Sequence, residues 1–184
     1  MDLTPDIHIS LIQLNQHMKD RALAVLARAN ISNLDAAGGA FWADILFVTG
    51  RSRGSLNTAQ LEALSKASAG LGYGATQHAL LSTHSVKDGQ VSLAEFVHTY
   101  ARALSAEAIV LLEDDVAVQF SQQISQCDAA ENTSALDCPK VSETTKIVKV
   151  TNFFASLEAG DNQQEKKRQA WQELQAAKRL IVLP

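Results

Sequence analysis

Apolar residues in this chain follow two alternating patterns, one with helical spacing and one of short continuous runs. The first helical stripe predicts a helix that ends near Asn30 and consists of Leu11, Leu14, Met18, Ala22, Val25 and Ala29. Continuous apolar runs at 45–49, 78–82, 109–112 and 147–150 predict four strands. The first run is typical of a strand buried on both faces of a parallel sheet, and Gly38 and Gly39 before it predict a loop.

Helices are also predicted between successive strands and after the last one. Their apolar faces are expected to contain Leu61, Leu64 and Leu71 in the first, Leu93, Phe96, Val97, Tyr100 and Leu104 in the second, and Val116, Phe120 and Ile124 in the third. The expected N-terminal caps are Asn57 or Thr58, Ser92 in a capping box with Glu95, and Asp114 or Asp115. The last helix is predicted to carry Trp171 on its buried side.

Strands separated by helices imply parallel pairing through right-handed crossovers. The predicted fold class is therefore a three-layer α/β/α domain with a central four-stranded, mainly parallel sheet. A chain of 184 residues, of which 46% are hydrophobic, favours a single domain over residues 1–184. The polar segment 126–143 is predicted to be a loop.

Charge and composition exclude several classes of protein. A net charge of −4 argues against a protein that coats nucleic acid nonspecifically, so any nucleic-acid contact must come from a local patch. The N-terminus lacks the features of a signal peptide and no apolar run is long enough to span a bilayer, which predicts a soluble, cytoplasmic protein. Cys127 and Cys138 lack metal-site spacing and predict no metal; they are either two ordinary thiols or a disulfide.

Ligands of open α/β sheets bind beyond the carboxyl ends of the strands, so residues that bind or react with a ligand are expected in the loops at these ends. The loop after the first strand contains two glycines and two arginines and precedes a helix N-terminus. This composition predicts a ligand or phosphate site formed by Gly50, Arg51, Ser52, Arg53 and Gly54. The alternative is a turn with two solvated arginines. The loop matches neither a Walker A motif nor a dinucleotide fingerprint.

The other loops offer weaker candidates. His84 follows the second strand as an acid, a base or a hydrogen-bond donor, or as an exposed side chain without a role. The carboxylates at 113–115 either bind a cation or, as preferred here, cap a helix. Asn152 and Phe153 are candidates for contact with a base, and core packing is the alternative for the ring. The basic cluster 166–168 is expected to be a solvated face.

The order of these segments resembles the uracil-DNA glycosylases of the bacterial and archaeal type over most of residues 8 to 180. An N-terminal helix leads to the strand at 44–48, a glycine-rich loop, a helix that ends at Gly70-Leu71, and another strand. The final helix, with its string Lys167-Arg168-Gln169-Ala170-Trp171, is similar to the last helix of that family. The resemblance implies a uracil-DNA-glycosylase-like fold.

The motifs that carry chemistry in that family are not matched. The family has Gly-Glu-(Ala/Gly)-Pro-Gly after its first strand, where this chain has Gly50-Arg51-Ser52-Arg53-Gly54. The family's His-Pro-Ser loop corresponds to Asn152-Phe153-Phe154, which lacks the histidine, and the four cysteines of the family's iron–sulfur cluster are absent. These losses remove the positioning of water and the stabilisation of charge on the departing base.

The leading expectation is therefore a non-catalytic domain used for nucleic-acid or protein interaction, much as the psi subunit of polymerase III resembles this fold and acts in assembly. The alternative is a diverged enzyme that hydrolyses N-glycosidic bonds of nucleobases or nucleotides. In it, Arg51 and Arg53 would hold phosphate, Asn152 would read a base edge, and His84 or Asp115 would handle protons. A flavodoxin-like ligand binder shares the same coarse order of elements.

No catalytic residue is assigned and no cofactor is expected. The expected partners are a nucleic acid or nucleotide bound through a local patch, or a protein, and no membrane partner is expected.

Overall fold

The computed structural model of the chain describes a continuous central sheet and the helices that cover it. The described residues are 20, 24, 37–39, 43–51, 55–74, 77–85, 92–130, 145–150, 153–158, 160 and 162–182. The predicted first helix lies largely outside these residues, as do residues 131–144 of the predicted polar loop.

The sheet contains the four predicted strands and one additional strand at its edge. In chain order they are β1 (Ala37–Gly39), β2 (Ile45–Thr49), β3 (His78–Ser82), β4 (Ala108–Leu111) and β5 (Lys146–Lys149). Their order across the sheet is β1-β3-β2-β4-β5, and the last four in the chain are mutually parallel. The segment around Gly38 and Gly39 was expected to be a loop, but it pairs antiparallel with β3 as a short edge strand.

Four described helices cover the two faces of this sheet, which gives the predicted three-layer α/β/α fold. They are α1 (Thr58–Leu71), α2 (Leu93–Leu104), α3 (Asp114–Ala130) and α4 (Gln163–Val182). Alternate residues of β2 divide between two cores: Leu46 and Val48 share one with α2 and α3, whereas Ile45 and Phe47 share the other with α1 and α4. None of the described helices is long and apolar enough to cross a membrane.

The helix boundaries follow local capping signals. Asn57 accepts a hydrogen bond from the backbone of Gln60, whose side chain accepts one in return from the backbone of Asn57, so this pair forms a complete capping box at the start of α1. Ser92 accepts from the backbone of Glu95 at the start of α2. Helix α3 extends to Ala130, so the first five residues of the predicted polar loop are helical.

Two apolar residues that were predicted to be buried are exposed. Leu61 on α1 is 43% exposed. The predicted Leu64 and Leu71 are buried on this helix, and the neighbouring Gln60 is buried with them. Trp171 on α4 is 58% exposed, which contradicts the prediction that this ring lies on the buried side. The core contact of α4 is made instead by Ala177, with Leu174 and Ile181 packed against the same core.

Helix α2 is the most deeply buried of the helices. All its residues except Glu95 and Arg102 are buried, including the imidazole of His98. The His98 ring lies 5.3 Å from the ring of Phe120 on α3, and its Nε2 atom has no hydrogen-bond partner within the described part of the chain. Burial lowers the pKa of His98, and the positive charge of Arg102 lowers that pKa further.

Truncation of a central strand tests the assigned core. Ile109 is fully buried on β4, and we expect Ile109→Ala to lower the free energy of unfolding by about 2 to 5 kcal/mol because the mutation leaves a cavity that the sheet cannot close. Val118→Ala is the matched control, because Val118 is 46% exposed and its truncation should change stability by no more than about 0.5 kcal/mol. Urea denaturation measures both, and equal effects would contradict this core assignment.

The buried imidazole should make the stability of the protein depend on pH. Because the pKa of His98 is lower in the folded protein than in the unfolded chain, the contribution of His98 is complete above about pH 6.5 and declines as the pH falls below that value. We expect the unfolding free energy of the wild type to fall more steeply between pH 7 and pH 5 than that of His98→Leu, which removes the titrating group. Parallel slopes in urea denaturation would show that His98 does not titrate on unfolding.

Candidate functional site

The carboxyl ends of β2 and β4 form the topological switch point of the sheet. The two strands are neighbours, but the helix after β2 packs on one face and the helix after β4 packs on the other. Connections that leave adjacent strands in opposite directions open a crevice between their loops, which is where ligands of open α/β sheets bind. The predicted loop 50–54, called the Gly50 loop below, begins at this point, and its described residues Gly50 and Arg51 meet the carboxylates at 113–115.

The carboxylate of Glu113 occupies the centre of this crevice. Its Oε2 atom accepts hydrogen bonds from Thr49 Oγ1 at 2.9 Å and from the backbone N–H of Gly50 at 2.5 Å. Its Oε1 atom accepts from Arg51 Nε at 2.8 Å. A hydroxyl, a backbone amide and a guanidinium are the donors that a bound phosphate would use. The predicted anion site thus holds an anion that the chain itself supplies.

The absence of a side chain at Gly50 makes this contact feasible. A Cβ atom at this position would lie 3.3 Å from Glu113 Oε2 and 3.2 Å from a methyl group of Val116. Both distances are tighter than ordinary contacts, so with a larger residue the Glu113 and Val116 side chains would have to shift by a few tenths of an ångström. Glycine was predicted to allow close approach of a ligand, and in the structure the group that approaches is Glu113.

Arg51 is held between two carboxylates and an aromatic ring. Its Nη1 atom donates to Glu158 Oε1 at 2.7 Å, in addition to the bond from Nε to Glu113. The guanidinium carbon lies 4.8 Å from the centre of the Phe154 ring. Partial burial alone would lower the pKa of Arg51, but the hydrogen bonds and charges of Glu158 and Glu113 outweigh it and raise the pKa above its usual value. The cation is therefore compensated within the protein.

Backbone contacts fix the loop against the neighbouring strand. Ser82 Oγ at the end of β3 donates to the carbonyl oxygen of Arg51 at 2.6 Å, and Thr83 Oγ1 donates to the carbonyl oxygen of Thr49 at 3.2 Å. The backbone N–H of Arg51 in turn donates to Thr49 Oγ1 at 3.1 Å. These bonds hold the start of the loop in one conformation.

The structure places the sequence-predicted site residues in three groups. Gly50 and Arg51 lie in the crevice, whereas Ser52, Arg53, Gly54 and Asn152 lie outside the described residues. His84 is exposed in a short 3-10 turn after β3. Phe153 is 4% exposed, so its ring packs in the core rather than on a surface where a base could stack.

The carboxylates at 113–115 serve different purposes. Glu113 binds the Gly50 loop, while Asp114 and Asp115 are exposed in the first turn of α3, where negative charge favours the helix. Asp115 Oδ1 accepts from the backbone N–H of Val116 at 2.9 Å. Within the described ranges, no group of three or more His, Cys, Asp or Glu side chains is arranged to hold a metal ion.

The partners of Arg51 were not predicted from the sequence. Glu113 was grouped with the aspartates as a helix-capping cluster, and Glu158 was not singled out. Both lie far from Arg51 along the chain, at separations of 62 and 107 residues. The available signal was the position of Glu113 directly after an apolar run, but the contact follows only once β2 and β4 are known to be neighbours.

The described residues also line a cavity of about 520 Å³ at the opposite, amino-terminal edge of the sheet. Its wall includes Tyr73, Arg102, Glu107 and Lys146. Burial raises the pKa of Tyr73 to about 12, assisted by the negative charges of Glu107 and Asp44 and by a hydrogen bond with Glu107. The Tyr73 hydroxyl therefore remains a protonated donor at neutral pH, paired with Glu107.

Comparison with known proteins adds no relative. No protein-family model, no curated protein and no solved structure matches this chain. Function must therefore be inferred from the geometry of the chain itself.

Removal of the central carboxylate should loosen the crevice. We expect Glu113→Ala to lower the free energy of unfolding by about 1 to 3 kcal/mol, because Thr49, Gly50 and Arg51 all lose their shared acceptor. Glu113→Gln keeps one acceptor oxygen and should lose less. Asp114→Ala is the matched control, because this exposed carboxylate should contribute at most about 1 kcal/mol through the helix dipole. Urea denaturation compares the three; an effect no larger for Glu113→Ala than for the control would rule out the proposed central role of Glu113.

Proposed function

We propose that this chain is a non-catalytic interaction domain with a uracil-DNA-glycosylase-like fold, which acts in the cytoplasm on a nucleic acid or a protein partner. The observation that supports this proposal is the occupation of the Gly50 loop by Glu113. The described donors that could hold a substrate phosphate, or stabilise charge that develops on a departing base, are those of Thr49, Gly50 and Arg51, and they are engaged with this internal carboxylate.

Electrostatics at the crevice support the same proposal. Glu113 and Glu158 form ion pairs with Arg51, and Asp115 lies beside Gly50. An incoming phosphate would be repelled by these carboxylates and would have to displace two of them from Arg51. Such a site disfavours a nucleotide or a DNA backbone in the position that the enzyme alternative requires.

The aromatic residues after β5 support it as well. Phe153 and Phe154 are 4% and 1% exposed, and their rings pack edge to face at 5.4 Å. Stacking on an extruded base requires an accessible ring face, and the faces of these two rings contact protein instead. The Phe154 ring also carries the Arg51 guanidinium, which links core packing to the salt bridges.

The strand order is compatible with more than one α/β family. Numbered among themselves, the four parallel strands follow the order 2-1-3-4, which also begins the flavodoxin-like order 2-1-3-4-5. A flavodoxin-like protein binds its phosphate-bearing ligand at the switch point between its first and third strands. Here that point lies between β2 and β4 and contains Glu113. Because this carboxylate already binds the donors of the loop and repels phosphate, it disfavours a phosphate-bearing ligand there as well.

A uracil-excision assay decides between the proposal and the enzyme alternative. We expect the purified protein to release no uracil from single- or double-stranded DNA, measured as strand cleavage at abasic sites, while an active uracil-DNA glycosylase cleaves the same substrates in parallel. The reason is that the motifs for water positioning and charge stabilisation are unmatched and the Gly50 loop is occupied.

The variant Arg51→Ala/Asn152→Ala identifies the source of any activity that is seen. Excision by the wild type that this variant loses, while Arg102→Ala retains it, would overturn the proposal and establish a diverged enzyme that uses these loops. Arg102 is a suitable control because it is an exposed arginine on α2, at the opposite edge of the sheet from the crevice. Excision that all three proteins share equally would indicate a contaminating glycosylase and would leave no support for the enzyme alternative.

A further inference from the structure

Trp171 has the largest of the exposed apolar side chains on the described surface. It lies on α4 and is 58% exposed, although tryptophan is highly buried on average. The core contact of this helix is made by Ala177, with Leu174 and Ile181 packed against the same core, and Trp171 is not among these residues. Tryptophan is enriched at interfaces, where its apolar ring is covered by a partner.

The polar residues near Trp171 on α4 are cationic or carry amides. At about 3.6 residues per turn, side chains within roughly 60° of Trp171 around the helix axis follow helical spacing, and Leu174 at the edge of this range packs against the core. The polar ones are Gln164, Lys167, Arg168, Gln175 and Lys178. We call these residues and Trp171 the Trp171 face. The two carboxylates of the helix, Glu165 and Glu173, lie roughly 120° and 160° away around the helix axis.

The charges of this face are available to a partner. Lys167 and Lys178 form no ion pair with the residues that the structure describes. Arg168 has one weak partner, Glu165, at 3.7 Å, and both side chains are more than half exposed. The chain as a whole has a net charge of −4, so the Trp171 face is a local positive strip on an acidic protein.

We propose that the Trp171 face binds single-stranded nucleic acid. The indole stacks on an unpaired base, Lys167, Arg168 and Lys178 contact phosphates, and the amides of Gln164 and Gln175 reach base edges. The inference rests on the proposed function, because it specifies the partner of a non-catalytic domain. It also lies on a different surface from the Gly50 loop, whose acidic surroundings repel phosphate.

The geometry favours a single strand over other anionic partners. Lys167 and Lys178 are eleven residues apart, about 16 Å along the helix axis, which allows contact with several phosphates of one strand. A flat indole between the cations matches an unstacked base, which a duplex does not offer without unpairing. An acidic peptide would pair with the cations, but it has no planar group that must lie against Trp171.

The experiment measures binding of dye-labelled oligo-dT and oligo-U to the full chain by fluorescence anisotropy over a range of salt concentrations. We expect Trp171→Ala to weaken binding at least about fivefold, and Trp171→Phe to retain most of the affinity because it keeps an aromatic face. Lys167→Gln/Lys178→Gln should lower the slope of log K against log salt by about 1.4, since each lost contact with a single strand removes about 0.7.

A matched control separates a specific surface from loss of positive charge. Lys66→Gln/Lys149→Gln removes the same charge from exposed positions on α1 and β5, and binding should remain within about twofold of the wild type. Circular dichroism confirms that each variant is folded. Preferential binding of oligo-U over oligo-dT would identify RNA as the partner, the reverse preference would identify DNA, and equal binding would indicate stacking without sugar discrimination; each supports the proposal.

Three results would overturn it: no binding of either oligonucleotide by the wild type at low salt, equal binding by the wild type and Trp171→Ala, or competition by oligo-glutamate as strong as that by unlabelled oligonucleotide. The last result would assign the face to an acidic protein partner. These outcomes are independent of the uracil-excision assay. Failure of the binding experiment overturns only this inference. Uracil excision that is lost in Arg51→Ala/Asn152→Ala overturns the proposed function.

Discussion

The complete burial of β2 is the constraint on which the rest of the structure depends. Every residue from Ile45 to Thr49 is buried, with β3 and β4 paired along its two edges and helices over both of its faces. A central strand in this position must end in a loop that lies between two neighbouring loops. The polar groups that follow Thr49 therefore enter a crowded space where each of them needs a partner.

The Glu113 carboxylate satisfies this requirement from inside the protein. It accepts from a side-chain hydroxyl, a backbone amide and a guanidinium at one point, and it joins the loops after β2 and β4. In enzymes with open α/β sheets the corresponding donors are left for the ligand. Here the described donors bind a carboxylate of the chain itself.

The distribution of aromatic residues and charge agrees with this arrangement. Phe153 and Phe154, which follow β5, are buried, and the Arg51 guanidinium lies over the Phe154 ring, whereas Trp171 on α4 is exposed near cations. Carboxylates surround the crevice at the carboxyl edge, while the positive strip lies on the outer side of a helix. The surface suited to an anionic partner is thus separate from the edge of the sheet where ligands usually bind.

The alternation of apolar runs and helical stripes was sufficient to predict the three-layer fold, the parallel strands and most helix boundaries. These features depend on local periodicity and on caps such as Asn57 and Ser92, which the sequence displays directly. The sequence also predicted Gly50 and Arg51 as candidates for contact with a ligand or phosphate, and in the structure both bind the Glu113 carboxylate.

Only the tertiary structure decided which anion that loop holds and which aromatic rings face water. The pairing of Arg51 with Glu113 and Glu158 requires the order of the strands across the sheet, which a single sequence does not encode in any local pattern. The exposure of Trp171 depends on which side of α4 packs on the core, and the residues on that side are Ala177, Leu174 and Ile181 rather than the tryptophan.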